Sequence, residues 1–245
     1  MKYNIDQNVG NSEELRLEIV TTCVGFDDIL DVTLNLNHAQ ADHYIVVTSH
    51  EDTKTQKVAR KYGATLVLSD LFKKNGRNFN KGAAINQGMG HFQYHGWRLC
   101  LDSDIVLPDN FRRVLFNHTH LDKNNLYGAD RIDVIGKDNI NKLIYSLEHQ
   151  HTHGVFVQGG SIGTRYVDNL YGYCPLGFFQ LFNAKTQKNY PYSLGTAAHD
   201  DILFAASYPL ANRVCLPSVI CYHLCPSEPF MSQNWDGNRR IARLK

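Results

Sequence analysis

The chain has 245 residues, enough for one large domain or two small ones, and with 43% hydrophobic and 20% charged residues it can bury a sizeable core. Its 25 Lys and Arg nearly balance its 24 Asp and Glu, so the net charge does not indicate nucleic acid as a partner. The sequence has no apolar run of the ~18 residues that a membrane helix needs and no signal-peptide pattern at its N-terminus, so we expect a cytoplasmic protein with reduced cysteines.

Apolar segments typical of strands alternate with segments of helical periodicity through the first hundred residues. Strands are predicted at 15–24, 43–49, 64–69 and 97–104, and helices at 26–39, 51–63 and 78–96. Gly63 is a good C-terminal stop for the second helix. "GFFQLF" and "SVICYH" predict further strands in the second half of the chain. The alternation favours an α/β fold, with a mostly parallel sheet flanked by helices.

The fourth predicted strand ends in two aspartates, Asp102 and Asp104, in the stretch "LDSDIVLP". Ligands of open α/β sheets bind beyond the carboxyl ends of the strands. If the segment stays extended, both side chains face the same way, and they repel unless a cation lies between them. An ordinary turn is the alternative, since Asp and Ser are common turn residues. At this edge of the sheet the pair predicts a site for Mg²⁺ or Mn²⁺ shared with a phosphate.

At this point the sequence resembles the GT-A-fold glycosyltransferases, especially those of the family 2 type. The resemblance rests on "LDSDIVLP" and on an ordered series of segments over roughly 15–240, among them "IVTTC", "FNKGAAINQG", "HDDILFA" and "YHLCPSEPFMSQNWDGNRR". It implies a single GT-A domain over 1–245, with a nucleotide-sugar-binding half at about 15–120, an acceptor and catalytic half at about 121–245, and a smaller acceptor-side subregion beside the sheet. It also implies a metal-dependent transfer of a sugar to an acceptor hydroxyl, with inversion of the anomeric centre.

The resemblance assigns a Mn²⁺ or Mg²⁺ site to Asp102, Asp104 and His223, with Asp104 as the more direct ligand. His223 ends a predicted strand, and imidazole is a suitable third ligand for Mn²⁺. Two alternatives stay open. A lone histidine at such a position is often an ordinary core or surface residue. Cys221 and Cys225 flank it at i−2 and i+2, which allows a zinc site, although C-x-H-x-C is not a common zinc spacing.

The resemblance also assigns residues to the donor, a nucleotide-diphosphate sugar with UDP-sugar expected first. Lys81 is placed near the diphosphate, and the alternative is an ordinary surface lysine. Gln180 is placed near a sugar hydroxyl and Trp235 against a sugar face, and the alternative for both is a role in packing. The predicted donor-binding residues are Thr21, Thr22, Cys23, Asp52, Asn80, Lys81, Asp102, Ser103, Gln180 and Trp235. Thr48 and Ser49 stand where many family 2 enzymes carry an acidic residue for the base, and Asp52 is the candidate replacement.

Transfer with inversion needs a general base that takes the proton of the acceptor hydroxyl. The segment "AAHDDILFA" resembles the family's acidic residue before an apolar helix, which implies Asp201 as the base and Asp200 as its alternative. Acids in a first helical turn are also favoured by the helix dipole alone.

Two other classes of function remain. A nucleotidyltransferase also places metal-bound phosphates on an α/β sheet, but it more often has a glycine-rich, basic loop after the first strand, and "TTCVGFDD" contains neither Lys nor Arg. A non-catalytic carbohydrate-binding relative is the third candidate, and the retained Asp102, Asp104, Asp200, Asp201 and His223 argue against it. The sequence does not indicate the sugar or the acceptor, beyond a carbohydrate or another hydroxyl-bearing molecule.

Overall fold

The computed structural model describes residues 15–76, 79–117, 121–149, 166–193, 195–227 and 238–244. Within them the strands are β1 (Leu17–Thr22), β2 (His43–Thr48), β3 (Thr65–Leu68), β4 (Trp97–Leu101), β5 (Ile105–Val106), β6 (Leu126–Ile135), β7 (Val167–Asp168), β8 (Gly172–Tyr173), β9 (Phe179–Asn183) and β10 (Arg213–Cys225). The α-helices are α1 (Asp27–Asn37), α2 (Thr53–Lys61), α3 (Lys81–Met89), α4 (Phe111–Asn117), α5 (Lys137–Glu148) and α6 (Ala197–Ala206). In these ranges no helix has the length and apolar character needed to cross a membrane.

Eight of these strands form one sheet in the order β3-β2-β1-β4-β9-β6-β10-β5. The pairs β3–β2, β2–β1, β1–β4 and β6–β10 are parallel. β9 lies antiparallel between β4 and β6, and the short β5 lies antiparallel on β10. The prediction of an α/β fold with a mostly parallel sheet is therefore confirmed, and the sheet joins strands from both halves of the chain.

Helices cover both faces of β1, and the strand combines the apolar Leu17, Ile19 and Val20 with buried polar residues. All six of its residues are buried. Ile19 packs in one core cluster with Ile29 and Leu30 of α1, whereas its neighbour Val20 packs in a second cluster with Ala84 of α3. Successive side chains of a strand point to opposite faces, so each face of the sheet has its own core.

Helix α3 is shorter than the predicted 78–96. The side-chain oxygen of Asn80 accepts a hydrogen bond from the backbone N–H of Ala83 at 3.3 Å, so the helix begins after this cap. The helix ends before Gly90, and the chain then reaches β4 without further helix. The cap makes Lys81 the first helical residue, and Lys81 is buried rather than on the surface.

The chain turns directly after β4, so the prediction of a strand through Asp104 is wrong. The backbone N–H of Ile105 donates to the carbonyl of Asp102 at 3.3 Å, and Ser103 and Asp104 form the turn between them. The hydroxyl of Thr33 on α1 donates to the Ser103 carbonyl at 2.8 Å and holds the turn against the helix. Because the segment is turned rather than extended, the two carboxylates reach different partners.

Strands β6 and β10 pair with a change of register that determines which of their residues lie opposite each other. Leu216 lies opposite Ala129, but the next pair is Ile220 with Asp130, so three residues of β10 are looped out between them. As a result His223 lies opposite Asp133.

Candidate active site

A cavity of about 420 Å³ opens at the end of the sheet reached by β1, β4 and β10. It combines an apolar wall with a cluster of charged side chains. Its lining residues are Thr22, Cys23, Val24, Phe26, Phe79, Lys81, Asp102, Ser103, Asp104, Arg131, Tyr166, Leu176, Gly177, Phe178, Ala197, Ala198, Asp201, Ile202 and His223.

Lys81 binds two carboxylates at the floor of this cavity. Its ammonium lies 2.7 Å from Asp102 Oδ1 and 3.1 Å from Asp201 Oδ1. Burial opposes the charge of Lys81, but the attraction of the two aspartates outweighs it and holds the pKa of Lys81 above its ordinary value. The lysine therefore offsets the charge of the two carboxylates in a place where water is largely excluded.

Asp201 has the properties expected of a general base. Its burial raises the pKa of its carboxyl to about 7, against the opposing effect of Lys81. In the described part of the chain no group donates a hydrogen bond to its Oδ1, although the Lys81 ammonium is close. A carboxylate with a pKa near neutrality and a free acceptor atom can accept a proton from a bound hydroxyl.

Gly177 fixes the place of this carboxyl. A Cβ atom built on Gly177 would lie 2.0 Å from Asp201 Oδ1 and 2.1 Å from Oδ2. The absence of a side chain at residue 177 thus lets the Asp201 carboxyl pack directly against the backbone.

Asp200 lies on the same turn of α6 but points away from the cavity. It is fully buried, and its Oδ2 accepts a hydrogen bond from the backbone N–H of Gly82 at 3.0 Å. This contact ties α6 to the first turn of α3. Asp201 lines the cavity and Asp200 does not, so the geometry favours the first of the two predicted bases.

Asp104 and His223 form the second charged group of the cavity. His223 Nε2 lies 3.2 Å from Asp104 Oδ2, and Nδ1 lies 2.8 Å from Asp133 Oδ1. Burial alone would lower the pKa of His223, but the two carboxylates raise it well above its ordinary value. Burial would raise the pKa of Asp104, and His223 brings it below its usual range.

The Asp104–His223 pair fits a divalent cation. Two neighbouring ligands of an octahedral ion, each about 2.1 Å from it, are about 3 Å apart, close to the 3.2 Å between Asp104 Oδ2 and His223 Nε2. The same two atoms share a proton in the absence of metal, and a cation can take its place. Asp102, one-third exposed beside Lys81, lies on the same turn.

The alternative zinc site is only partly assembled. Cys225 Sγ lies 3.3 Å from His223 Nδ1, and among the described residues Asp133, His223 and Cys225 are close enough to hold one ion together. Cys221 is not in that group; it is buried in the apolar core instead.

The predicted donor residues divide into two groups. Thr22, Cys23, Lys81, Asp102 and Ser103 line the cavity. The others that the structure describes lie behind its wall in structural contacts, and these are Thr21, Asp52, Asn80 and Gln180. Trp235 lies outside the described residues.

Asp52 and Gln180 illustrate those contacts. Asp52 caps α2, accepting from the backbone N–H of Thr55 at 3.1 Å, and also accepts from the backbone N–H of Gly25 at 2.7 Å. Gln180 is fully buried and donates to the carbonyls of Pro175 and Asp201 at 2.8 and 3.1 Å.

Three residues of the site were not predicted from the sequence, namely Arg131 and Asp133 on β6, and Gly177. Arg131 lines the cavity with its guanidinium stacked 4.8 Å from the centre of the Phe178 ring. A signal was present in "ADRIDVI", where charged residues two apart in an apolar strand share one face. Gly177 gave no comparable signal.

Comparison with known proteins gives only distant structural similarity. No protein-family model matches the sequence, and no curated protein is significantly similar to it. Glucosyl-3-phosphoglycerate synthase from Mycobacterium tuberculosis, solved with Mn²⁺ and UDP-glucose, has a TM-score of 0.49 at 11% identity, covering 86% of this chain and 70% of its own. Mannosyl-3-phosphoglycerate synthase from Rubrobacter xylanophilus has a TM-score of 0.48 at 18% identity, covering 85% and 67%. Similarity at this level does not identify the activity or substrates of the present chain.

Proposed function

We propose that this protein is a metal-dependent glycosyltransferase of the GT-A type, which moves a sugar from a nucleotide-diphosphate sugar to an acceptor hydroxyl with inversion. One observation carries the proposal. A carboxylate suited to be a general base, Asp201, opens onto the same cavity as a carboxylate–imidazole pair suited to a divalent cation, Asp104 and His223.

The reaction forms one bond and breaks another at the anomeric carbon. The acceptor oxygen bonds to that carbon, and the bond from the carbon to the diphosphate oxygen breaks, with the electron pair leaving on the diphosphate. Asp201 takes the hydroxyl proton, and Lys81 holds the Asp201 carboxyl in place through their ion pair. Asp104 and His223 would hold a divalent cation, which would supply positive charge for the departing diphosphate.

The cavity offers groups for each part of the donor. The lining includes the side chains of Lys81 and Arg131, whose positive charges suit an anionic diphosphate. Val24, Phe26 and Phe79 form an apolar wall suited to the flat faces of a base or sugar. We expect UDP-sugars to be the first donors to test, and a carbohydrate or other hydroxyl-bearing acceptor.

The two other classes fit the site less well. A nucleotidyltransferase needs cations where the attacked phosphate binds, but the end of β1 and the loop after it contribute Thr22, Cys23, Val24 and Phe26 to the cavity and no basic side chain. A protein that only binds carbohydrate has no need for a buried carboxylate with its pKa raised to about 7, because burying such a group disfavours folding when it ionises.

The test is release of nucleoside diphosphate from a panel of UDP-, GDP- and other nucleotide-sugars, with Mn²⁺ and with EDTA. We expect release from at least one donor that depends on Mn²⁺ and falls at least ~100-fold in Asp104→Asn. The matched control is Asp122→Asn, which removes a carboxylate in the exposed turn before β6 and should leave release unchanged. Full activity of Asp104→Asn would remove the metal site from the proposal.

A further inference from the structure

Asp133 lies next to His223 because of the register between β6 and β10. The two residues are paired in a parallel ladder, and their side chains meet on the same face, with Asp133 Oδ1 2.8 Å from His223 Nδ1. Had the pairing of Leu216 with Ala129 continued without the looped-out residues, His223 would not lie opposite Asp133. The contact is therefore produced by an irregularity of the sheet.

The two ring nitrogens of His223 face different surroundings. Nε2 faces the cavity and Asp104, whereas Nδ1 faces Asp133 and, at 3.3 Å, the sulfur of Cys225. A neutral imidazole carries its proton on one nitrogen and a lone pair on the other. An ionised carboxylate only accepts hydrogen bonds, so Asp133 selects the form with the proton on Nδ1 and the lone pair on Nε2.

We propose that Asp133 is a positioning residue, which fixes the orientation and tautomer of His223 so that Nε2 binds the metal ion beside Asp104. The inference rests on the proposed function, since the metal belongs to that function. In metal sites a carboxylate behind a ligating histidine holds the ring and raises its basicity.

Asp133 is itself suited to this task. It is about one-fifth exposed, and its Oδ1 lies 2.8 Å from His223 Nδ1, within hydrogen-bond distance. Arg131 Nε lies 3.5 Å from the same oxygen and forms an ion pair with it. Asp133 does not line the cavity, whereas Asp104 and His223 do.

The experiment measures Mn²⁺ affinity from the electron paramagnetic resonance signal of free Mn²⁺, with and without nucleoside diphosphate, and so does not depend on turnover. We expect Asp133→Asn to bind Mn²⁺ roughly 10- to 100-fold more weakly than the parent. Asp138→Asn removes an exposed carboxylate five residues further along the chain and should bind Mn²⁺ like the parent. Circular dichroism and thermal unfolding establish that each variant is folded.

A double-mutant cycle separates positioning from direct ligation. In a His223→Ala background, Asp133→Asn should cause no further loss of Mn²⁺ affinity, because its effect passes through the ring. A further loss of about tenfold in that background would make Asp133 a ligand and overturn the inference. Cys225→Ser should leave the affinity unchanged; a loss there without one in Asp133→Asn would make the thiol the partner of Nδ1.

The outcomes also separate this inference from the proposed function. If the parent binds Mn²⁺ and Asp133→Asn binds it equally well, the positioning role is wrong and the metal site stands. If the parent binds no Mn²⁺ with or without nucleoside diphosphate, the metal site and the positioning role fail together, and nucleoside diphosphate release shows whether the transfer reaction remains.

Discussion

Adding one methyl group at Gly177 should disable the site without changing any charged residue. The Cβ of Gly177→Ala would lie 2.0 Å from the Asp201 carboxyl, whereas non-bonded carbon atoms settle about 3.5 Å apart, so the carboxyl has to retreat by about 1.5 Å. A misplacement of about 1 Å at a catalytic group costs on the order of 100-fold in rate, which corresponds to about 2.7 kcal/mol of activation free energy. We therefore expect the turnover number of Gly177→Ala to fall at least ~100-fold.

The assay is the initial rate of nucleoside diphosphate release, measured together with the melting temperature. Gly90→Ala is the matched control, because among the described residues the same methyl group there meets the Gln87 carbonyl at 3.2 Å, at the end of α3 opposite to Lys81. Because the effect passes through Asp201, Gly177→Ala should add little to the loss in an Asp201→Asn background. Near-parental turnover of a folded Gly177→Ala protein would refute the tight packing of glycine against the base.

Three further expectations concern proton transfer and stability. Asp201→Asn should lower the turnover number by about 10²- to 10⁴-fold with donor affinity nearly unchanged. Asp200→Asn removes the charge of the acceptor of a structural hydrogen bond and should lower the melting temperature more than the rate; the reverse order would exchange their roles. Since burial raises the pKa of Asp201 to about 7, the rate should fall as the pH drops below about 7. Lys81→Met removes an opposing cation and should move this acidic limb of the pH–rate profile to higher pH, and an unmoved limb would exclude Asp201 as its source. Burial opposes the ionisation of Asp28, but Arg239 holds the pKa of Asp28 below its usual value. The pair therefore stabilises the fold above about pH 4, and this stability is lost as the pH falls through the folded-state pKa. In urea unfolding, the free energy of unfolding of Arg239→Ala should be lower by about 3 kcal/mol at pH 7 and by less at pH 3, and an equal loss at both pH values would contradict the pairing.

The alternation of apolar and helical segments predicted most of the fold, because both periodicities are local. Asp104 and His223 were also predictable as neighbours, since each ends or nearly ends a strand at the same edge of the sheet. The extended course through Asp104 was wrong, although the residue types Asp and Ser left a turn open as the alternative. The turn is closed by the local hydrogen bond between Ile105 and Asp102, and only the contact from Thr33 that holds it against α1, seventy residues away in the chain, lies outside what local propensity contains.

The rest of the site depends on tertiary packing that the sequence pattern does not carry. Asp133 reaches His223 only through a shift of register in the β6–β10 ladder. Lys81 was expected at the diphosphate, and its two ion pairs with Asp102 and Asp201 follow from where α3 and α6 pack on the sheet. Such positions are decided by the packing of whole elements.

The most direct test of the proposed reaction identifies which bond of the donor breaks. The protein is incubated with Mn²⁺, an accepted nucleotide-sugar and an acceptor, the metal is then removed by chelation, and the products are identified by phosphorus NMR. Sugar transfer leaves the diphosphate on the nucleoside, so we expect nucleoside diphosphate as the phosphorus product, formed at least ~100-fold more slowly by Asp104→Asn and Asp201→Asn. Sugar 1-phosphate together with nucleoside monophosphate would place the broken bond at phosphorus and rule out sugar transfer.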